Sequence, residues 1–196
     1  MKLFDAAFLQ RFEARYGQDA SHRLERWQAM LAEVAGRETS DKLEAVNSFF
    51  NRIPWLSDEE HWGKRDYWAT PLEMLGTNGG DCEDYSIAKY ISLRKLGFAD
   101  EQLRITYVRA RTLRQTHMVL AYYKSPDAEP LILDNLDPTI RLAGQRGDLQ
   151  PVYSFNGSGL WAAVKRGQGE RIGDPGRLAM WRDVTSRMNL TELGLR

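Results

Sequence analysis

Apolar residues recur at helical spacing through the first half of the chain. Leu3, Ala7, Phe8 and Phe12 predict one helix, and Leu24, Trp27, Leu31 and Val34 a second that stops near Gly36. Leu43, Val46, Phe50 and Ile53 mark a third, with Ser40 or Asp41 expected as its cap. From Pro54 to Ala69 the period fails while Trp55, Trp62, Tyr67 and Trp68 crowd together, which predicts an irregular aromatic segment. Thr70-Pro71-Leu72-Glu73 then restarts a short helix: a capping residue, proline at the first helical position, and Glu three residues after the cap. Beyond Gly76-Thr77-Asn78-Gly79-Gly80, a loop whose glycines tolerate unusual backbone angles, a helix opens around Asp81 and runs to Lys95 before Gly97. Few of its residues are plainly polar after the first turn, so it is expected to be a central helix covered on most sides.

The period then changes to that of strands. Leu103 to Ala110, Met118 to Tyr123 and Leu131 to Asp134 are β-branched or aromatic runs, and Val152 to Phe155 and Leu160 to Val164 extend the series. Asp174-Pro175 starts a terminal helix through Leu178 and Trp181. Helices first and strands after predict an α+β fold with an antiparallel sheet. No repeat, low-complexity tract or linker divides the chain, so a single domain over residues 1–196 is expected.

Composition narrows the class. Lys+Arg equals Asp+Glu at 27 each, and 42% of residues are hydrophobic, as in an ordinary globular protein. No Lys/Arg run of nucleic-acid type occurs; the densest basic stretch, Arg104 to Arg114, is interleaved with apolar residues and reads as a solvated strand face. No segment approaches the ~20 apolar residues of a membrane span. Asp5, Gln10 and Arg11 interrupt the N-terminus, which lacks the apolar core of a signal peptide, so the chain is read as cytosolic or already processed.

A single cysteine excludes an internal disulfide and a multi-thiolate zinc site. Cys82 falls in the first turn of the central helix, where unpaired N–H groups and the helix dipole favour a thiolate. The runs at Met118 and Leu131 flank a turn-rich connection and form a hairpin. A turn centred near Ser125 or Pro126 places His117 approximately opposite Asp134, within hydrogen-bond reach of an imidazole and a carboxylate. That is the base-and-orienter arrangement of a nucleophilic site. His22, between Ser21 and Arg23, reads as a solvated residue, and His61 has no assigned partner.

Asp81, Glu83 and Asp84 surround Cys82, and a carboxylate near sulfur disfavours the thiolate. Two accounts of the run stand side by side. One is helix capping and dipole stabilisation; the other is a hard cation such as Ca²⁺, held by oxygen ligands. It is not an EF-hand loop, because the spaced ligands of that motif are missing.

Gly80-Asp81-Cys82-Glu83-Asp84-Tyr85, preceded by Asp66-Tyr67-Trp68-Ala69-Thr70-Pro71-Leu72-Glu73 and followed by His117-Met118-Val119-Leu120 and Leu133-Asp134-Asn135, resembles the bacterial transglutaminase-like cysteine proteinases, and within them the LapG-type periplasmic proteases. The resemblance runs from the N-terminal helices through at least Trp161. It implies a papain-like fold, a triad carried onto Cys82, His117 and Asp134, and Ca²⁺ held by Asp81 and Glu83, with Asp84 a further ligand. It also implies export to the periplasm, so that Met1 is an added residue on a mature chain, and cleavage of a large surface adhesin near its N-terminus at a di-alanine site. An inner-membrane cyclic di-GMP receptor is the implied sequestering partner. Trp55, Trp62 and Trp68 are the expected anchor region for it, and Trp62 or Asn47 a candidate oxyanion donor beside the Cys82 N–H. The same triad would also serve acyl transfer to an amine, as in transglutaminases, or amide hydrolysis, and a calcium-dependent binding module without catalysis is the reading from another class.

Overall fold

A computed structural model describes residues 4–111, 115–162 and 169–188. Leu3, Arg114 and the Ala163–Val164 end of one expected strand lie outside the described residues. The three N-terminal helices form where the periodicity places them: α1 (Ala6–Tyr16), α2 (Gln18–Val34) and α3 (Thr39–Phe50). Asp5 caps α1, accepting from the Phe8 N–H at 2.7 Å. The start of α3 differs from expectation: Glu38 is the capping position, so Ser40 and Asp41 lie inside the first turn, where Asp41 still meets the positive end of the dipole.

The aromatic segment is not irregular throughout. It contains a short helix, α4 (Asp58–Trp62), capped by Ser57 and stopped by Gly63 in the left-handed region at φ 61°. Ser57 and Glu60 exchange the hydrogen bonds of a helix start, a signature that the surrounding tryptophans obscure. Thr70 and Glu73 form the expected capping box of α5 (Pro71–Thr77). Of the loop after it, only Asn78 has a positive φ. Gly80 serves close approach instead: a Cβ there would stand 2.7 Å from Asp84 Oδ2.

Helix α6 (Cys82–Lys95) is buried continuously from Asp84 to Leu93, which makes it the central helix. It lies against the sheet and against α3 and α5, and Trp27 of α2 donates its Nε1–H to Ser92 at 2.9 Å. Main-core side chains such as Leu24, Trp27, Ile87, Ile91, Leu120 and Phe155 are fully or almost fully buried around it.

Strands β1 (Leu103–Ala110), β2 (Gln115–Tyr122), β3 (Leu131–Leu133), β4 (Arg141–Leu142), β5 (Leu149–Phe155), β6 (Leu160–Ala162) and β7 (Arg171–Gly173) form one sheet in the order β4-β3-β2-β1-β5-β6-β7. Every pairing is antiparallel, so the α+β expectation holds. Along β2, Met118, Leu120 and Tyr122 join the helical core while Val119 and Ala121 join a second cluster with Val108 and Ile132. A 3₁₀ turn (Pro175–Arg177) precedes α7 (Ala179–Arg187), whose Arg187 donates to the Trp68 carbonyl and pairs with Glu73.

Arg104 departs from the solvated-face expectation. It is 2% exposed, with its guanidinium 3.4 Å from the Trp161 ring centre and 5.8 Å from that of Tyr123, whereas Arg109 and Arg111 are exposed.

Candidate active site

The start of α6, the start of β2 and the end of β3 meet at one cleft of about 1170 Å³, lined among others by Cys82, His117 and Asn135. The cysteine is there because the chain before it is pinned. Trp55 and Gly80 form an isolated bridge, and the Leu56 N–H donates to the Gly80 carbonyl at 3.0 Å. Asp84 then accepts from the Asp81 N–H at 3.2 Å and from the Ala69 N–H at 2.6 Å, which ties the helix start to the aromatic segment.

His117 is 3% exposed, and its Nε2 lies 2.7 Å from Asp134 Oδ1. The pairing is diagonal rather than directly opposed. Leu120 faces Leu133, so continuing that register puts Asp134 across from Val119, two residues beyond His117. The turn is centred between Pro126 and Asp127, beside the expected Pro126, and β2 begins at Gln115, two residues before His117. Burial works against ionisation of Asp134, but the His117 hydrogen bond and charge, the Leu136 N–H and the Arg146 guanidinium outweigh it and hold the carboxyl at about 2.

Cys82 lines the cleft together with His117 and Met118, and the Met118 N–H, next to His117, works to lower the thiol's pKa. The thiol donates to Glu83 Oε2 at 2.9 Å. Burial, then Glu83 and then Asp81 push it well above the ordinary thiol range, the direction expected of sulfur beside carboxylates.

Those carboxylates belong to a larger group than the sequence suggested. Asp58 and Asp66 converge with Glu83, and Asp58 converges with Asp81 and Asp84, in sets whose ligand atoms lie within 4.8 Å of one another. Asp81 makes no side-chain capping hydrogen bond, and among the described residues its Oδ1 and that of Asp58 are buried without a partner. Burial and the mutual repulsion of these acids raise Asp58 to about 6 and push Asp81 and Asp84 far above the carboxylate range. Capping accounts for Asp84, whose two oxygens serve backbone donors. It does not account for the unpaired oxygens of Asp58 and Asp81, which suit a hard cation with oxygen ligands.

Neither proposed oxyanion donor lines the cleft. Asn47 is 1% exposed and donates to the Pro138 carbonyl, and Trp62 lies between His61 and Tyr67. His61 has a partner after all, Thr77 Oγ1 at 2.8 Å from its Nε2, and His22 is exposed as expected. Among the cleft residues that sequence reasoning did not single out, Tyr107 and Tyr153 stack at 5.0 Å across β1 and β5.

The family model described as bacterial transglutaminase-like cysteine proteinase, BTLCP, matches residues 10–165. Solved structures of Legionella pneumophila LapG are 39% identical to this chain. The EGTA-treated form covers 96% of this chain and 100% of its own, with a TM-score of 0.84; the calcium-bound form covers 95% and 100%, with a TM-score of 0.81. No curated protein matches the sequence. With both likenesses spanning most of its length, the chain belongs to the bacterial transglutaminase-like cysteine proteinases and has their fold.

Proposed function

We propose that this protein is a calcium-dependent cysteine endopeptidase with Cys82 as nucleophile, His117 as base and Asp134 as the residue that orients the base. The observation that carries the reading is the buried hydrogen bond between His117 and Asp134, in the cleft that Cys82 also lines. With Nε2 held by Asp134, the other ring nitrogen, Nδ1, is the one available to take the thiol proton. Sulfur then attacks the peptide carbonyl carbon, and the Cys82 N–H, which has no intrahelical partner at the first helical position, can donate to the developing oxyanion. His117 passes its proton to the amine as the C–N bond breaks, leaving a thioester on Cys82. Water, losing a proton to His117, hydrolyses that thioester and restores the thiol.

Asp58, Asp66, Asp81 and Glu83 would hold the calcium ion, with Asp84 fixing the helix start beside them. When bound, the ion neutralises the carboxylates that otherwise favour the protonated thiol.

The substrate we propose is a large cell-surface adhesin, cut near its N-terminus at a di-alanine site in the periplasm, so that cells leave a biofilm. Support for this comes from the family and from the likeness to L. pneumophila LapG. Incubating the protein with the N-terminal region of a candidate adhesin should give one cut between the alanines, blocked when they are replaced. Cleavage at many unrelated positions, or none, would contradict it.

His117 and Asp134 act as a unit in this scheme, so their losses should not add. Asp134→Asn is expected to lower kcat by about 10²–10⁴-fold, and His117→Ala with Asp134→Asn to be little worse than His117→Ala alone. An Asp134→Asn enzyme with full activity would remove Asp134 from its role.

The inner-membrane cyclic di-GMP receptor would sequester the enzyme through an exposed aromatic anchor. Of the three tryptophans considered, Trp68 is buried and stacked on Phe155 and Trp62 is partly covered, while Trp55 is 55% exposed. Trp55→Ala is therefore expected to weaken receptor affinity, measured by titration with the receptor's periplasmic domain; unchanged affinity would move the interface elsewhere.

A further inference from the structure

Asp134 has more partners than an imidazole requires. Oδ1 takes His117 Nε2 and also the Leu136 N–H at 3.0 Å, while Oδ2 takes Arg146 Nη2 at 2.8 Å. Arg146 is 6% exposed; Asp148 Oδ1 takes its Nε at 3.0 Å and Asp148 Oδ2 shares its Nη2 at 2.8 Å, while Nη1 is buried without a partner among the described residues. Its backbone is fixed as well. The Arg146 N–H donates to the Ala143 carbonyl at 3.0 Å, and its own carbonyl accepts from Leu149 at 3.0 Å where β5 begins. Asp148 alone, whose side chain is 34% exposed, could pair this cation nearer the surface. The guanidinium instead reaches inward to the acid behind the imidazole, and burying a cation is costly unless its partners are well placed.

We propose that Arg146 is a positioning residue for the reaction set out above: it holds the Asp134 carboxylate charged and in the one rotation that gives Oδ1 to His117. The inference rests on that reading of the site. A carboxylate anchored at one oxygen only can turn about its Cβ–Cγ bond and exchange its oxygens. Anchoring Oδ2 with one directed N–H from a guanidinium that Asp148 orients through two nitrogens removes that freedom and reserves Oδ1 for the ring. The titratable and charged groups that face Asp134 are His117 from β2, Lys89 from α6, and Arg146 with Asp148 from the connection between β4 and β5. Lys89 supplies charge to Asp134, and burial pulls its own ammonium down to about 7. Arg146 supplies charge together with a directed hydrogen bond.

Arg146→Ala and Arg146→Lys, compared with the unaltered chain at saturating Ca²⁺, test this. In Arg146→Ala kcat should fall about tenfold or more with KM little changed, the rate equivalent of one charge-assisted hydrogen bond. Arg146→Lys keeps the charge without the fork and should recover only part of kcat. A second readout needs no substrate: the ¹H–¹⁵N signal of the His117 ring Nε2–H. The unaltered chain should keep it down to acid unfolding, while Arg146→Ala loses it at a pH about 1–3 units higher, because Asp134 protonates more easily without its cation. Arg146→Lys gives the same two readouts if the alanine variant does not fold. Variants with the original kcat and the original ring signal, changed only in thermal midpoint, would make Arg146 a core ion pair and overturn the proposal. Failure of the unaltered chain to form a thioester at Cys82 would instead sink the peptidase reading, and the ring signal would still decide whether Arg146 holds Asp134.

Discussion

Cys82→Ala is expected to abolish cleavage and leave the chain folded, with a change in stability of no more than about 1 kcal/mol. The substitution removes the only sulfur nucleophile in the chain, and no other group described at the cleft can form the acyl-enzyme by the same route. The side chain it deletes is half-buried at the first turn of α6 and donates to Glu83 Oε2. Alanine fits that space and is the best helix former. Deleting the thiol leaves Glu83 without that donor, a small loss beside the crowd of other acids. Cys82→Ser should also be inactive or nearly so, since a hydroxyl is far less ionised than a thiol. Activity close to that of the unaltered chain in either variant would remove Cys82 from the mechanism. Unfolding of both would make it a packing residue.

Removing calcium should have the next largest effect. Chelation is expected to suppress cleavage and added Ca²⁺ to restore it, with Mg²⁺ a poor substitute because it demands a smaller and stricter octahedral shell. The cause is electrostatic. Asp58, Asp66, Asp81 and Glu83 cannot all be charged at such short range in a partly buried site without a counter-ion, and the unpaired oxygens of Asp58 and Asp81 have no protein donor to turn to. Without the ion the cluster retains protons that Ca²⁺ must displace. Apparent affinity should therefore weaken as pH falls, with Asp58, raised to about 6, gaining its proton as pH drops below neutrality. At a hundredfold excess over Kd the ion would add about 2.7 kcal/mol of stability, a rise in Tm of roughly 5–10 °C for a chain of this size. Asp81→Ala and Glu83→Ala should lose activity through weaker binding, with partial rescue at high Ca²⁺, and Asp58→Ala should behave in the same way. Titration calorimetry without Ca²⁺ uptake, together with cleavage indifferent to chelator, would remove calcium from the mechanism and leave only Asp84 with a helix-capping role.

Much of the site was legible in the sequence because its parts carry local signals. Cys82 stands where an apolar run meets a glycine loop, and Thr70 with Glu73 marks a helix start in four residues. His117 and Asp134 needed only a hairpin, and their pairing survived a register different from the one expected because diagonal neighbours on paired strands remain within reach. What was not legible depends on distant partners. Asp58 joins the acidic group only because Ser57 starts a helix inside the aromatic segment, and the tryptophans around it mask that start. Arg146 lies between a two-residue strand and β5, too short a stretch for any period to show, and β7 was missed for the same reason. The burial of Arg104 follows from Trp161, which nothing near it in sequence announces. Asp81 was open between cap and ligand until its side chain could be seen to make no capping hydrogen bond.

Mass spectrometry of an acid-quenched reaction tests the central claim most directly. With Ca²⁺ and a peptide substrate, the digest should contain the Cys82 peptide carrying the acyl half of the substrate as a thioester, lost on Cys82→Ala and greatly reduced by chelator. Steady cleavage with no mass added at Cys82 would contradict the account.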